Sequence, residues 1–102
     1  VQSVAALSPS ELQGGESRYS RLLKDPAERT KLANLAEMEE SSILDTEIVS
    51  KYSLDPEPLV RYRCAESIAR IQDPRGERYL LRLLDDYNED VVLEAIFALA
   101  HR

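Results

Sequence analysis

The chain has 102 residues, a mass of 11.6 kDa and 13 basic against 19 acidic side chains, a net charge of -6. That is enough for one small domain with a modest core, and the acidic balance opposes general attraction to nucleic acid or to an anionic membrane. With 43% hydrophobic and 31% charged residues, 3 Gly and 5 Pro, the chain is neither disordered, low-complexity nor collagen-like, and 6% aromatics without Trp are lean for a β-sandwich.

Residues 1–16 hold Ser8-Pro9, Gly14-Gly15 and scattered polar residues, and form a leader or linker. They include neither an initiator Met nor a basic n-region, so they are not a signal peptide as they stand. Together with the end at His101-Arg102, directly after an apolar stretch, they suggest a fragment of a longer chain. Beyond them, turn signals and helical stripes alternate. Asp25-Pro26, Asp55-Pro56 and Asp73-Pro74 each place an acid that can accept from free backbone N–H groups before a Pro that loses no hydrogen bond at a first helical position. Asn88 with Glu89 and Asp90 supplies a fourth start, its acids on the positive end of the helix dipole.

Between these signals the apolar residues recur every three to four positions, as in Ile43, Leu44, Ile48, Val49 and Tyr52, in Leu80, Leu83, Leu84 and Tyr87, and in Val91, Val92, Ala95, Ile96, Leu99 and Ala100. The spacing predicts six helices, at about 17–24, 26–39, 42–53, 57–71, 75–86 and 89–101. No run approaches the roughly 18 apolar residues that a membrane span requires. The single Cys cannot close an internal disulfide, so no oxidising compartment is demanded and the cytoplasm is the expected location.

The helices pair into three units, about 17–40, 41–72 and 73–102, and the units resemble one another. Val60 to Ala69 aligns with Val91 to Ala100 at an offset of 31, sharing an apolar residue, small or apolar positions four and five later, and Ile or Leu before a closing Ala. An offset of 32 places Arg29 on Arg61, Lys31 on Arg63 and Pro26 on Pro58, with Glu28 and Glu37 where apolar residues belong, as in a polar capping repeat.

The stretch Asp55-Pro-Glu-Pro-Leu-Val-Arg-Tyr-Arg-Cys-Ala-Glu-Ser-Ile-Ala-Arg-Ile-Gln-Asp-Pro-Arg-Gly resembles HEAT-like repeats of the short, roughly 30-residue kind named for phycocyanobilin lyases, and Tyr79 to Ala100 resembles the next unit. The resemblance implies an all-α fold, an α-solenoid fragment of about three antiparallel helix pairs. It also implies an Asp–Arg ladder between repeats, in which Arg61 bonds the loop acids Asp55 or Asp86. Two departures stand out: Val92 where the family usually has Arg, which breaks the ladder in the third unit, and Ala69 and Ala100 where Gly is common.

Six Arg (61, 63, 70, 75, 78 and 82) stand against Glu66, Asp73 and Glu77 between residues 61 and 82, a local charge of +3 on a chain whose other residues sum to -9. This run suggests a basic face for an acidic peptide, with Arg63, Arg70, Arg78 and Tyr62 as contacts; the competing structural reading is a solvated face with pairs such as Glu66–Arg70. Glu37, Glu39, Glu40, Asp45, Glu47, Asp55 and Glu57 face only Lys51; they suggest a solvated acidic surface, the competing reading being a site for a basic partner or a cation. Tyr62, Tyr79 and Tyr87 are candidates for exposed edges. Leu93 and Phe97 fall opposite the main stripe of the last helix and form an exposed apolar face that invites a homodimer.

No catalytic, cofactor or metal residue is expected. One His and one Cys cannot build a zinc site, the His-Glu pairs of di-iron HEAT-repeat hydroxylases are absent, and Cys64 sits at a small-residue core position. The expected function is a protein- or peptide-binding scaffold rather than an enzyme. The alternatives are an auxiliary or regulatory repeat arm of an enzyme and, through the Arg-rich run, binding to a nucleic-acid backbone.

Overall fold

The computed structural model describes residues 24–102. Among them are five α-helices, α1 (Pro26–Ser41), α2 (Thr46–Tyr52), α3 (Pro58–Ile71), α4 (Glu77–Leu83) and α5 (Glu89–Ala100), with a 3-10 turn at Pro74–Gly76 and no strand. The fold is all-helical. The leader at 1–16 and nearly all of the helix expected at 17–24 lie outside the described residues. No described helix is long and apolar enough to cross a membrane.

The start signals act as their chemistry requires, with one exception. Asp25 Oδ1 accepts from the Ala27 amide at 2.9 Å with Pro26 at the first helical position, and Asn88 Oδ1 accepts from the Asp90 and Val91 amides at 2.9 and 3.2 Å. Asp73 accepts from the Arg75 amide at 2.8 Å, but what it opens is the 3-10 turn, and α4 continues from there without a side-chain cap. The exception is Asp55-Pro56. The helix begins at Pro58 with Glu57 as its cap, while Asp55 accepts from the Glu57 amide and turns its other oxygen to Lys31 of α1. The expected 42–53 helix is shorter because Asp45, not Ser42, caps α2. Ser42 and Gln72 close α1 and α3 in the left-handed region (φ 58° and 60°), a conformation that favours Gly.

Helix α3 is the central element and touches each of the other four helices. Eight of its fourteen residues are buried, including Val60, Tyr62, Cys64, Ala65 and Ile68. These meet Leu35 and Met38 of α1, Val49 of α2, Leu80 and Leu83 of α4 and Val91 and Ala95 of α5 in one apolar cluster. Gly76 lets the 3-10 turn lie on α3, since a Cβ there would stand 2.5 Å from Ile68 Cγ2. Close approach, rather than backbone conformation, requires glycine at this position.

Two ion pairs tie α1 to the loop before α3 and α3 to the loop before α5. Lys31 Nζ donates to Asp55 Oδ1 at 2.7 Å, and Arg61 Nε and Nη2 donate to the two carboxylate oxygens of Asp86 at 2.7 and 2.9 Å. Arg61 Nη1 also donates to the Asp55 carbonyl at 2.7 Å, so one guanidinium clamps its own loop and the next. Asp55 and Asp86 are 31 residues apart, and each also accepts from the amide two residues on, Glu57 and Asn88. The first rung comes from Lys31, not from Arg29, which the offset of 32 placed on Arg61. Desolvation opposes the charge on Asp86, but the hydrogen bonds from Arg61 and the Asn88 amide outweigh it and lower its pKa.

Candidate functional site: the face of α1, α3 and α5

The long helices α1, α3 and α5 bring five ionisable side chains into one network: Glu39 from α1, Arg63, Glu66 and Arg70 from α3, and Glu94 from α5. Arg70 Nη1 donates to Glu39 Oε1 at 2.8 Å, and the Ser67 hydroxyl donates to the other oxygen of Glu39. Arg63 lies 3.2 Å from Glu66 Oε1 and 3.9 Å from Glu39, and Arg70 lies 3.7 Å from Glu66 Oε2. Desolvation opposes the charge on Glu39, but the Ser67 and Arg70 hydrogen bonds outweigh it and lower its pKa. Burial wins at Glu66 and Glu94, which are 7% and 5% exposed, and it raises both. The nearby Glu66 charge pushes Glu94 further up, while the Tyr62 hydroxyl, hydrogen-bonded to Glu94, acts the other way.

Between α3 and α5 this network lines an open groove of about 370 Å³. Glu66, Ala69 and Arg70 line it from α3, and Glu94, Phe97 and Ala98 from α5. At one end, the exposed ring of His101 tilts against Phe97 with centroids 4.2 Å apart.

Three of the residues named as partner contacts occupy other positions. Tyr62 is 1% exposed, inside the α3–α5 seam, and cannot meet a partner. Tyr79 is also buried, and of the three candidate tyrosines only Tyr87 is exposed. Arg63 is largely covered and faces Glu66 and Glu39. Arg78 is on α4, away from the network, and lies with Arg82 over the Tyr79 ring at 5.6 and 5.7 Å. Only Arg70 is both in the network and substantially exposed. The six arginines therefore do not form one basic face: Arg61 serves the loops, Arg63 and Arg70 face Glu39 and Glu66, Arg75 pairs with Asp73 at 2.8 Å, and Arg78 and Arg82 cover Tyr79. The solvated acidic surface also loses members, since Glu39, Asp55 and Glu57 are partly or fully covered and have partners or caps, leaving Glu37, Glu40, Asp45 and Glu47 exposed.

Leu93 and Phe97, read as the outward face of the last helix, are exposed. The helix buries Val91, Glu94, Ala95 and Ala98 and exposes Leu93, Ile96, Phe97 and Ala100, a stripe at i, i+3, i+4 and i+7. At the offset of 31 these four correspond to Tyr62, Ala65, Glu66 and Ala69 of α3. Tyr62 bonds Glu94, while Glu66 and Ala69 border the groove against α5. The exposed stripe of α5 thus repeats the positions at which α3 meets its neighbour.

Glu94 and Glu39 were not singled out from the sequence. The available signal for Glu94 was a charge four residues after Asp90 on the otherwise apolar run 91–100. Cys64 is fully buried, its thiol pushed up to about 12 by desolvation, and its Sγ lies 3.8 Å from the Val49 carbonyl. Among the described residues no three His, Cys, Asp or Glu side chains cluster in a way that could hold a metal ion.

No curated protein and no solved structure matches the chain. A model of the HEAT repeats family matches residues 46–102, from the start of α2 through α5 and more than half of the sequence, so the loop-to-loop ion pairs and the matched faces of α3 and α5 belong to a chain of the HEAT repeat family.

Proposed function

We propose that the chain is a protein-interaction scaffold that binds without catalysis. In this reading the helices form an α-solenoid fragment of three antiparallel pairs, the short repeats resembling the phycocyanobilin-lyase type, with units at about 17–40, 41–72 and 73–102. Ladder rungs at Asp55 and Asp86, 31 residues apart, support a translational repeat of this length. HEAT repeats generally present protein-binding surfaces, and a buried Cys64 thiol offers no nucleophile.

The observation that carries the reading is the stripe Leu93, Ile96, Phe97 and Ala100, apolar and exposed where the equivalent residues of α3 pack against a neighbour. Contiguous apolar surface of this kind marks an interaction site. The test is affinity capture by the immobilised chain, compared with Phe97→Glu and Leu93→Glu. A discrete protein retained by the wild type and lost from both variants supports the scaffold; failure to retain any protein overturns it. A second reading, homodimerisation through the same stripe, predicts a dimeric mass in light scattering that becomes monomeric in Phe97→Glu. A monomeric wild type excludes it. Retention of nucleic acid that vanishes with salt would favour the backbone-binding alternative instead.

A further inference from the structure

Four of the six arginines between residues 61 and 82 pair inside the molecule: Arg61 with Asp86, Arg63 and Arg70 with Glu39 and Glu66, and Arg75 with Asp73. Arg78 and Arg82 do not. They stand one turn apart on the exposed side of α4. Among the described residues neither guanidinium donates a hydrogen bond, and no carboxylate lies within ion-pair distance of either. What holds them is the buried ring of Tyr79, whose centroid is 5.6 and 5.7 Å from the two guanidinium carbons. That attraction acts through the face of the ring. It restrains two long side chains and leaves their planar forks of N–H donors uncommitted.

Apolar surface lies beside the forks. Leu81, which precedes Arg82 on the same helix, is half exposed. Arg82 also lines an open hollow of about 410 Å³ between the loops at 53–56 and 85–87, together with Leu54 and Tyr87, both exposed. A guanidinium fork matches a carboxylate or a phosphate, and the surroundings choose between them. Glu77 and Asp85, exposed and without ion pairs, stand just before Arg78 and three residues after Arg82. A continuous phosphate backbone would run over these acids, whereas one or two carboxylates beside an apolar side chain would not. We propose that the outer side of α4 and the hollow beside Arg82 bind an acidic segment of a protein partner, its carboxylates on the Arg78 and Arg82 forks and an apolar side chain against Leu54 and Tyr87. The inference rests on the scaffold reading and adds a second surface to it, made of residues outside the α5 stripe.

The probe is the capped peptide Glu-Leu-Glu, titrated into the ¹⁵N-labelled chain beside Gln-Leu-Gln, which keeps the shape and lacks the charge. The expected result is saturable amide shifts at Arg78, Leu81, Arg82 and Tyr87 with the acidic peptide, at an affinity on the order of millimolar for exposed ion pairs with apolar contact. The glutamine peptide should bind at least about tenfold more weakly. The double variant Arg78→Gln, Arg82→Gln should abolish binding. Two milder variants keep the test open should the double variant fail to fold. Arg82→Lys keeps the charge and loses the fork, and should weaken binding about threefold. Tyr87→Ser, on an exposed loop outside the core, keeps both arginines and should weaken it by about the same factor.

Equal responses to the two peptides overturn the inference. So do shifts centred on Arg29 and Lys51, exposed cations elsewhere on the chain, or peptide binding unchanged in both Arg82→Lys and Tyr87→Ser. An oligothymidylate that shifts the α4 amides at lower concentration than the acidic peptide overturns it in favour of a nucleic-acid backbone. A captured protein that the double variant retains as well as wild type, with Glu-Leu-Glu inert, overturns this inference and leaves the scaffold standing. Peptide binding on α4 without any captured protein overturns the scaffold and leaves the chemistry of α4 standing.

Discussion

Helices α3 and α5 occupy equivalent places in successive repeats but are built in opposite senses. Helix α3 is covered by neighbours, and it carries Ser67 and Arg63 into that cover because each finds Glu39 across the seam, while Glu66 is paired with Arg63 and Arg70 of its own helix. Helix α5 buries the small residues Ala95 and Ala98 with one acid, Glu94, and turns Leu93, Ile96 and Phe97 outward. Its buried face is shaped for close approach to α3, and its apolar side chains are on the side where α3 holds Tyr62, Ala65 and Glu66. A repeat helix therefore has two interfaces. The inward one fixes the fold, and the outward one can diverge to suit whatever covers it.

The sharpest test of this contrast uses one residue type on both helices. Ile68→Ala in α3 should cost about 3 kcal/mol, because a fully buried β-branched side chain leaves a cavity. Ile96→Ala on the exposed stripe should change stability by less than about 0.5 kcal/mol. Urea denaturation of the two variants measures both, and equal losses would mean that the stripe of α5 is part of the core after all.

The ladder offers the next largest difference. Arg61→Ala strips Asp86 of a bidentate partner and Asp55 of a carbonyl contact at a largely covered site, with an expected loss of about 2 kcal/mol. Lys31→Ala removes a more exposed amine that makes one contact each to Asp55 and Glu28, and should cost roughly half as much. Thermal melts of the pair would break the comparison if the lysine rung proved the stronger.

Acid titration separates the two kinds of carboxylate. Glu66 and Glu94 have native pKa values raised above the ordinary Glu value, so the folded state binds protons that the unfolded state has released. Stability therefore declines as pH rises from about the unfolded Glu value of 4.3 through the native values. Glu39 and Asp86 are shifted down, and their contribution is lost as pH falls through their native values. Glu94→Gln should raise stability near pH 7 by about 1 kcal/mol and leave it nearly unchanged near pH 4. Denaturant midpoints at pH 4, 5.5 and 7 test this, and a loss at pH 7 would show that the Glu94 charge is compensated in the native state.

The smallest effect lies at the close of α1. Ser42 holds a left-handed conformation at an exposed position, so Ser42→Gly should stabilise the chain by about 0.5 kcal/mol, seen as a small rise in Tm.

The helices were legible because their signals are local. Asp25-Pro26 and Asn88 place a cap and its first turn within three residues, and the apolar recurrences mark the core face without reference to the rest of the chain. Arg61 was legible as structural through its family position, and the outward stripe of α5 through simple periodicity. What was not legible depends on side chains that meet across the fold. Arg70 finds Glu39 at a separation of 31 residues, and Lys31 finds Asp55 at 24. In the sequence these appear as a basic run and an acidic run, and only packing shows that members of each pair with the other. Tyr62 failed as a surface residue for a related reason: an aromatic ring with a hydroxyl suits an exposed edge or a buried seam equally well, and the carboxylate of Glu94 across that seam decides between them. Asp55-Pro56 has the form of a helix start, but Glu57-Pro58 follows at once, and the first acid is then available for Lys31 of α1.

Cys64 gives the molecule a chemical clock. It is the only thiol in the chain, its side chain is sealed where α3 meets α2, and desolvation keeps it in the unreactive protonated form. A thiol-directed reagent added to the native protein can label it only when that seam opens, so the labelling rate counts openings, and reactions followed with and without a bound partner would report how far binding at the distant α5 surface quiets the centre of the fold.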